Sequence, residues 1–125
     1  MVIYLVTNTY FNDRDHQRYG VDFFLKKGHK VIVLDVQDYI NPKLYKTEKP
    51  SYSKHPNLNV IVCTNLKMIE KTLKHYNSGI AFLFVGCDVK SIKIKNLLYT
   101  NNIKIGIIDA GFLPKLDKNT NIYYK

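Results

Sequence analysis

The chain has 125 residues, 46% of them hydrophobic, and a formal net charge of +9. That length supports one buried core and not two, and no run of 18 apolar residues is present to span a bilayer. The opening residues, Met1 to Thr7, lack the basic start and small-residue cleavage site of a secretory signal, so a cytoplasmic protein is expected.

Residues 2–7 (VIYLVT) are continuously apolar, which suits a strand buried on both faces. Residues 8–12 are polar and turn-like. A helix is predicted from about Arg14 to Lys27, with Val21, Phe24 and Leu25 sharing one face, Asn12 or Asp13 capping its start and Gly28 ending it in the left-handed conformation. Residues 30–35 (KVIVLD) form the second strand. A long polar segment follows, from about Val36 to Asn57, with Pro42, Pro50 and Pro56 and a short helical turn expected after Asn41-Pro42.

Residues 59–63 (NVIVC) read as a third strand. Thr64 or Asn65 then caps a helix to about Tyr76, whose apolar stripe is Leu66, Ile69, Leu73 and Tyr76; Asn77-Ser78-Gly79 closes it. Residues 80–86 (IAFLFVG) are the most hydrophobic strand and are expected at the centre of the sheet. Asp88 caps a helix to about Thr100 with Ile94, Leu97 and Leu98 inward, and residues 103–108 (IKIGII) make a fifth strand. The tail after Gly111 has no clear element. Strands alternating with helices imply one α/β domain over residues 1–125, Rossmann-like or flavodoxin-like, with about five parallel strands and helices on both faces.

In such sheets ligands bind outside the carboxyl ends of the strands, where strand order reverses. The most informative of these corners is the first, NTYFNDRDHQRYG. Of 19 basic residues 17 are lysine, and both arginines, Arg14 and Arg18, fall here, four residues apart near a helix N-terminus. Guanidinium forks in a lysine-using chain point to phosphate or carboxylate recognition, against the plainer alternative of surface pairing with Asp13, Asp15 or Asp22. His16 is a general base oriented by a neighbouring carboxylate or, more simply, an exposed histidine on the first helical turn. Gly86-Cys87-Asp88 either approaches a ligand through its backbone or is an ordinary capped turn.

Several site types are disfavoured. Asp35 ends the second strand, where dinucleotide folds place an acid on ribose hydroxyls, but the first corner has no GxGxxG and its glycine, Gly20, is expected within the helix. No P-loop motif is present, and Thr7-Asn8 and Cys63-Thr64 stand where a receiver domain needs acids. Cys63 and Cys87 lack the spacing of a zinc site and read as buried, unreactive thiols; no metal or cofactor is expected. The lysines are scattered, and abundant Lys, Asn, Ile and Tyr is the signature of an AT-rich genome. Solvated surface therefore explains the charge better than a nucleic-acid groove.

The stretch YLVTNTYFNDRDHQRYGVDFFLKKGHKVIVLDV resembles the N-terminal Rossmann-like domain of bacterial glycosyltransferase-like proteins of the two-domain GT-B type in surface-polysaccharide (lipopolysaccharide or capsule) biosynthesis. The resemblance rests on the TNTYFNDRD corner, KKGHKV, and Leu34-Asp35-Val36 followed by Asn41-Pro42, and covers about residues 2–45. It implies that this chain is an acceptor-side half, inactive alone. Its partners would be a sugar or phosphate-bearing acceptor and a second Rossmann-like domain or a homodimer mate, with peripheral contact at the inner membrane face left open. The site residues implied are Asn8, Thr9, Asn12, Arg14 and Arg18, with Asp13 or Asp15 as the base for an acceptor hydroxyl; Gly86 and Asp88 join them from the fourth strand's corner. The competing expectation is a non-catalytic module that binds a nucleotide or anion, or docks on a protein through exposed tyrosines such as Tyr39, Tyr45, Tyr52 and Tyr123.

Overall fold

The computed structural model describes residues 1–9, 11–42 and 55–106. Over these residues the strands are β1 (Val2–Thr7), β2 (Lys30–Asp35), β3 (Leu58–Val62), β4 (Ile80–Phe84) and β5 (Lys104–Gly106). They form one sheet in the order β3-β2-β1-β4-β5, and every pair is parallel. The helices are α1 (Asp13–Arg18), α2 (Val21–Lys26), α3 (Gln37–Ile40), α4 (Leu66–Tyr76) and α5 (Val89–Thr100). This is the α/β domain expected, with the doubly wound order 3-2-1-4-5 rather than the flavodoxin order 2-1-3-4-5.

Strand alternation divides the core in two. Ile3, Leu5, Val31, Val33 and Leu58 pack with Phe11, Tyr19, Val21 and Leu25 beneath α1 and α2. Tyr4, Val6, Ile32, Leu34 and Ala81 pack on the opposite face with Ile69 and Leu73 of α4 and Ile94 and Leu98 of α5. Each fully buried Leu or Ile contributes about 1.5–3 kcal/mol, so both layers are needed to hold a sheet whose middle strands have no wet face. The stripes anticipated on α2, α4 and α5 are the ones that face inward.

Several details differ from the sequence reading. The helix expected over 14–27 is two helices. Tyr19 ends α1 by donating its N–H to the Asp15 carbonyl, and Gly20 turns the chain at φ 68° before α2 begins. The short helix of the polar segment precedes Asn41-Pro42, because the Asp35 carboxylate accepts from the Gln37 N–H and starts α3 there, while proline disfavours helical geometry at Asn41. The remainder of that segment, residues 43–54, lies outside the described residues, as do Tyr45, Tyr52, Tyr123 and the tail. The middle strand is β1, not the more apolar β4, since β1 pairs with both β2 and β4. The strand expected over 59–63 runs one residue earlier, and Cys63 lies just beyond it.

The caps follow the sequence closely. Asn12, Asn65 and Asp88 accept from the backbone N–H three residues on, Gly28 closes α2 at φ 83°, and Asn77 closes α4 at φ 61°. Gly79 sits at φ 139° where an added Cβ would run into the Val2 carbonyl oxygen, so only glycine fits at the start of β4. Among the described residues, no helix is long and apolar enough to cross a membrane.

Candidate functional site

Strand order reverses between β1 and β4, so the crevice predicted for a ligand opens where Thr7 lies beside Phe84. Thr7 also lies beside Asp35 at the end of β2, and Val36 donates its N–H to the Thr7 carbonyl at 2.8 Å. The corners after β1, β2 and β4 therefore meet at one end of the sheet. On the α1 side the crevice has an aromatic wall, with the Tyr19 ring stacked on Phe84 at 3.9 Å between centroids. On the other side, the Lys90 ammonium in the first turn of α5 donates to the Tyr39 carbonyl of α3 at 2.9 Å and joins the β2 and β4 corners.

The β1–α1 corner is built from short-range bonds. Thr7 donates its hydroxyl to the Thr9 carbonyl at 3.2 Å, and the Asn12 carboxamide oxygen accepts from the Asp15 N–H at 3.0 Å. Asn8 is half-buried, while Thr9, Asn12, Asp13, Arg14 and Arg18 are exposed. The surface pairing considered for the arginines does not form. Asp22 is taken by His16, and among the described residues neither Arg14 nor Arg18 makes an ion pair; Arg18 lies over the Tyr19 ring at 5.5 Å. Both guanidinium groups are thus exposed on α1, the helix that follows β1, without an ion pair among the described residues.

Asp15 is 6% exposed and near Tyr19, whose phenol it helps to hold above its usual value after burial has done most of the work. Of the two acids proposed as base, Asp13 is open to solvent and Asp15 is not. His16 is buried rather than exposed. Its Nε2 meets Asp22 Oδ1 at 2.7 Å, so it ties α1 to α2 across Gly20, and its Nδ1 is buried without a hydrogen-bond partner. Asp22, held below the usual carboxylate range chiefly by that bond, is the orienting acid, not Asp13 or Asp15.

The β4 corner is largely occupied by capping. The Asp88 carboxylate accepts from the Ser91 hydroxyl at 2.6 Å and the Ser91 N–H at 3.2 Å, which lowers its pKa. Gly86 is exposed and its carbonyl accepts from the Lys95 ammonium at 3.4 Å. Cys87 is exposed, contrary to expectation, because it follows β4 on the open loop; Cys63 is buried, and burial first, then the Asp35 charge, pushes its thiol up to about 12.

The structure adds Asp35 to this end of the sheet, beside Thr7. It is 2% exposed, and burial pushes its carboxyl up to about 6 despite the hydrogen bond from Gln37. The amide oxygen of Gln37 is buried with no donor. No sequence signal reveals that. Among the described residues, no group of three His, Cys, Asp or Glu side chains is placed to hold a metal. A shallow cavity of about 940 Å³ lined by Tyr99, Thr100, Asn102, Ile103, Lys104 and Ile105 lies at the amino end of β5, away from all these groups. Comparison with known protein families, with curated proteins and with solved structures gives no match to this chain.

Proposed function

We propose that this domain is the acceptor-side half of a glycosyltransferase-like protein of the GT-B type, acting in cell-surface polysaccharide biosynthesis. The observation that carries the reading is the pair of exposed guanidinium groups of Arg14 and Arg18 on α1, the helix that follows the switch-point strand β1, with no ion pair among the described residues. They suit an acceptor that carries a phosphate or sugar acid. A ring hydroxyl of that acceptor would lie over Asn8 and Thr9, and Asp13, the exposed acid, would take the hydroxyl proton. In that type of protein the donor sugar sits on a second domain, so acceptor binding is the property of this domain to measure.

Titration of the ¹⁵N-labelled protein with inorganic phosphate and with glucose 6-phosphate tests the reading. Amides of residues 8–18 should shift, and an Arg14→Ala, Arg18→Ala double variant should bind at least about tenfold more weakly, since charge-assisted hydrogen bonds contribute about 1.5–3 kcal/mol each. Equal affinity in parent and double variant rejects it. The non-catalytic alternative is favoured by one observation: Asn12 and Asp88 spend their side chains on caps, which leaves few groups for chemistry. That module would bind the same anions and keep full affinity in an Asp13→Asn variant.

A further inference from the structure

The sheet order leaves β5 at an edge. Among the described residues it pairs with β4 alone, Lys104 beside Ile80 and Ile105 beside Ala81. The Lys104 N–H donates to the Gly79 carbonyl at 3.3 Å, toward β4. Backbone groups alternate along a strand, so the N–H and C=O of Ile105 point the other way, to the open side. Side chains alternate as well. Ala81 faces α4 and α5, which puts Ile105 on that side of the sheet and Lys104 on the side of α1 and α2.

The last turn of α5 runs beside this edge. Tyr99, Thr100, Asn102, Ile103, Lys104 and Ile105 line a shallow groove of about 940 Å³. Tyr99 is 80% exposed and Ile105 41%, so the groove has an uncovered apolar wall. The turn that joins α5 to β5 is pinned. Asn102 holds φ 59°, its N–H donates to the Tyr99 carbonyl at 3.1 Å, and the Ile103 N–H donates to the Leu98 carbonyl at 2.9 Å. A groove formed before anything enters it lowers the ordering cost of binding.

A shallow floor does not enclose a small molecule. It offers one edge backbone pair, an apolar wall on one face of the sheet and a lysine on the other. An extended chain laid along β5 uses all three, since its backbone can bond Ile105 while alternate side chains meet the two faces. Charge decides which chain fits. Helix α5 and strand β5 carry Lys90, Lys93, Lys95 and Lys104 and no acid within their bounds, and Asp88, at the far end of α5, is bound to Ser91. A second copy would bring a net charge of +9 and a lysine at the same edge, which opposes self-pairing. A segment in which acidic and apolar residues alternate is complementary on both faces.

We propose that the β5 edge is a docking site for such a segment of a partner protein, an extended stretch of alternating acidic and apolar residues that joins the sheet beside β5. Its apolar residues lie against Tyr99 and Ile105, its acids lie on the Lys104 side, and its backbone exchanges hydrogen bonds with the Ile105 N–H and C=O. None of this involves the β1–α1 corner, so the site stands whatever that corner binds.

The test is an NMR titration of the whole ¹⁵N-labelled chain with a short, end-capped peptide of alternating glutamate and valine, and with its lysine–valine counterpart. Amides of residues 99–106 should shift, and the Ile105 N–H should move downfield and exchange more slowly with solvent as it gains an acceptor. At low salt the acidic peptide should bind at least about tenfold more tightly than the basic one. Tyr99→Ala should weaken it at least about fivefold and Lys104→Glu at least about threefold, both at exposed positions outside the core. Failure of the acidic peptide to bind, equal affinity for the two peptides, or undiminished affinity in either variant overturns the proposal. So do contacts between residues 107–125 and Ile105 in the free chain, which make the chain's own tail the occupant. A dilution-dependent shift of the same amides overturns it in favour of a second copy, and shifts produced by phosphatidylglycerol vesicles but not by the peptide overturn it in favour of a membrane surface.

Discussion

Replacing Asp35 by asparagine should stabilise the protein, by a margin that grows as pH rises from 3.8 to about 6 and is complete above that. The group's ordinary value is 3.8 and burial in the fold raises it to about 6. Below pH 3.8 the carboxyl is protonated in both the folded and unfolded chains, so folding is indifferent to it. Between these values the unfolded chain releases a proton that the folded chain retains, so stability falls as pH rises. Above pH 6 the loss is complete. A shift of about two pKa units corresponds to about 3 kcal/mol. Asparagine removes the ionisation and keeps an oxygen for the Gln37 N–H. At pH 8 the variant should therefore gain about 2–3 kcal/mol, or roughly 10 °C in Tm for a domain of this size. At pH 4 the two proteins should melt nearly together. Paired thermal melts followed by circular dichroism across pH 4–8 measure this. A Tm difference that does not change with pH, or a variant less stable at pH 8, refutes the assignment of Asp35 as a buried, uncompensated acid.

Three other outcomes follow from the same physics. Gly79→Ala should destabilise by on the order of 3–5 kcal/mol, since it combines a strained φ with a clash against the Val2 carbonyl; urea melts in which it matches the parent would show that the β4 entry can relax. Under native conditions one thiol equivalent, Cys87, should react with Ellman's reagent within minutes, and Cys63 only after denaturant is added; two fast equivalents would contradict its burial. Asp88→Ala should lower the denaturant midpoint, because it removes the α5 cap and leaves the buried Ser91 hydroxyl without its acceptor, and Asp88→Asn should recover most of the loss; an unchanged midpoint in Asp88→Ala would contradict the cap.

The strands were legible because buried parallel strands are continuous apolar runs, and β1 and β2 match their expected bounds. The caps Asn65, Asp88 and Gly28 were legible because their chemistry is local. The break at Gly20 was not. The apolar stripe that suggested one helix belongs to α2 alone, whereas α1 reads DRDHQR and is held by a buried aspartate and histidine rather than by apolar residues. His16 looked exposed since its partner, Asp22, lies in the next helix beyond the glycine. Strand order is a property of pairing between distant segments, so the apolarity of β4 could not reveal that β1 takes the middle position. Asp35 was visible as an acid ending an apolar run, but its lack of a cation is a fact of packing.

The order of the sheet also bears on how the chain is made. Along one side β1 meets β2, which arrives soon after it; along the other, Ile3 must find Ile80 and Thr7 must find Phe84. During synthesis the middle strand is the first of the five to emerge, yet its second edge is covered only when the fourth strand has been made. Until β4 leaves the ribosome, one edge of β1 stays open with its N–H and C=O groups unpaired and its apolar residues uncovered on that flank. Such an edge invites pairing with a neighbouring nascent chain. Pairing over this separation is slow compared with local helix formation, so folding speed should be set by the β1–β4 closure. The strand junction proposed to receive the ligand is thus also the seam that must wait longest after its first strand has been made.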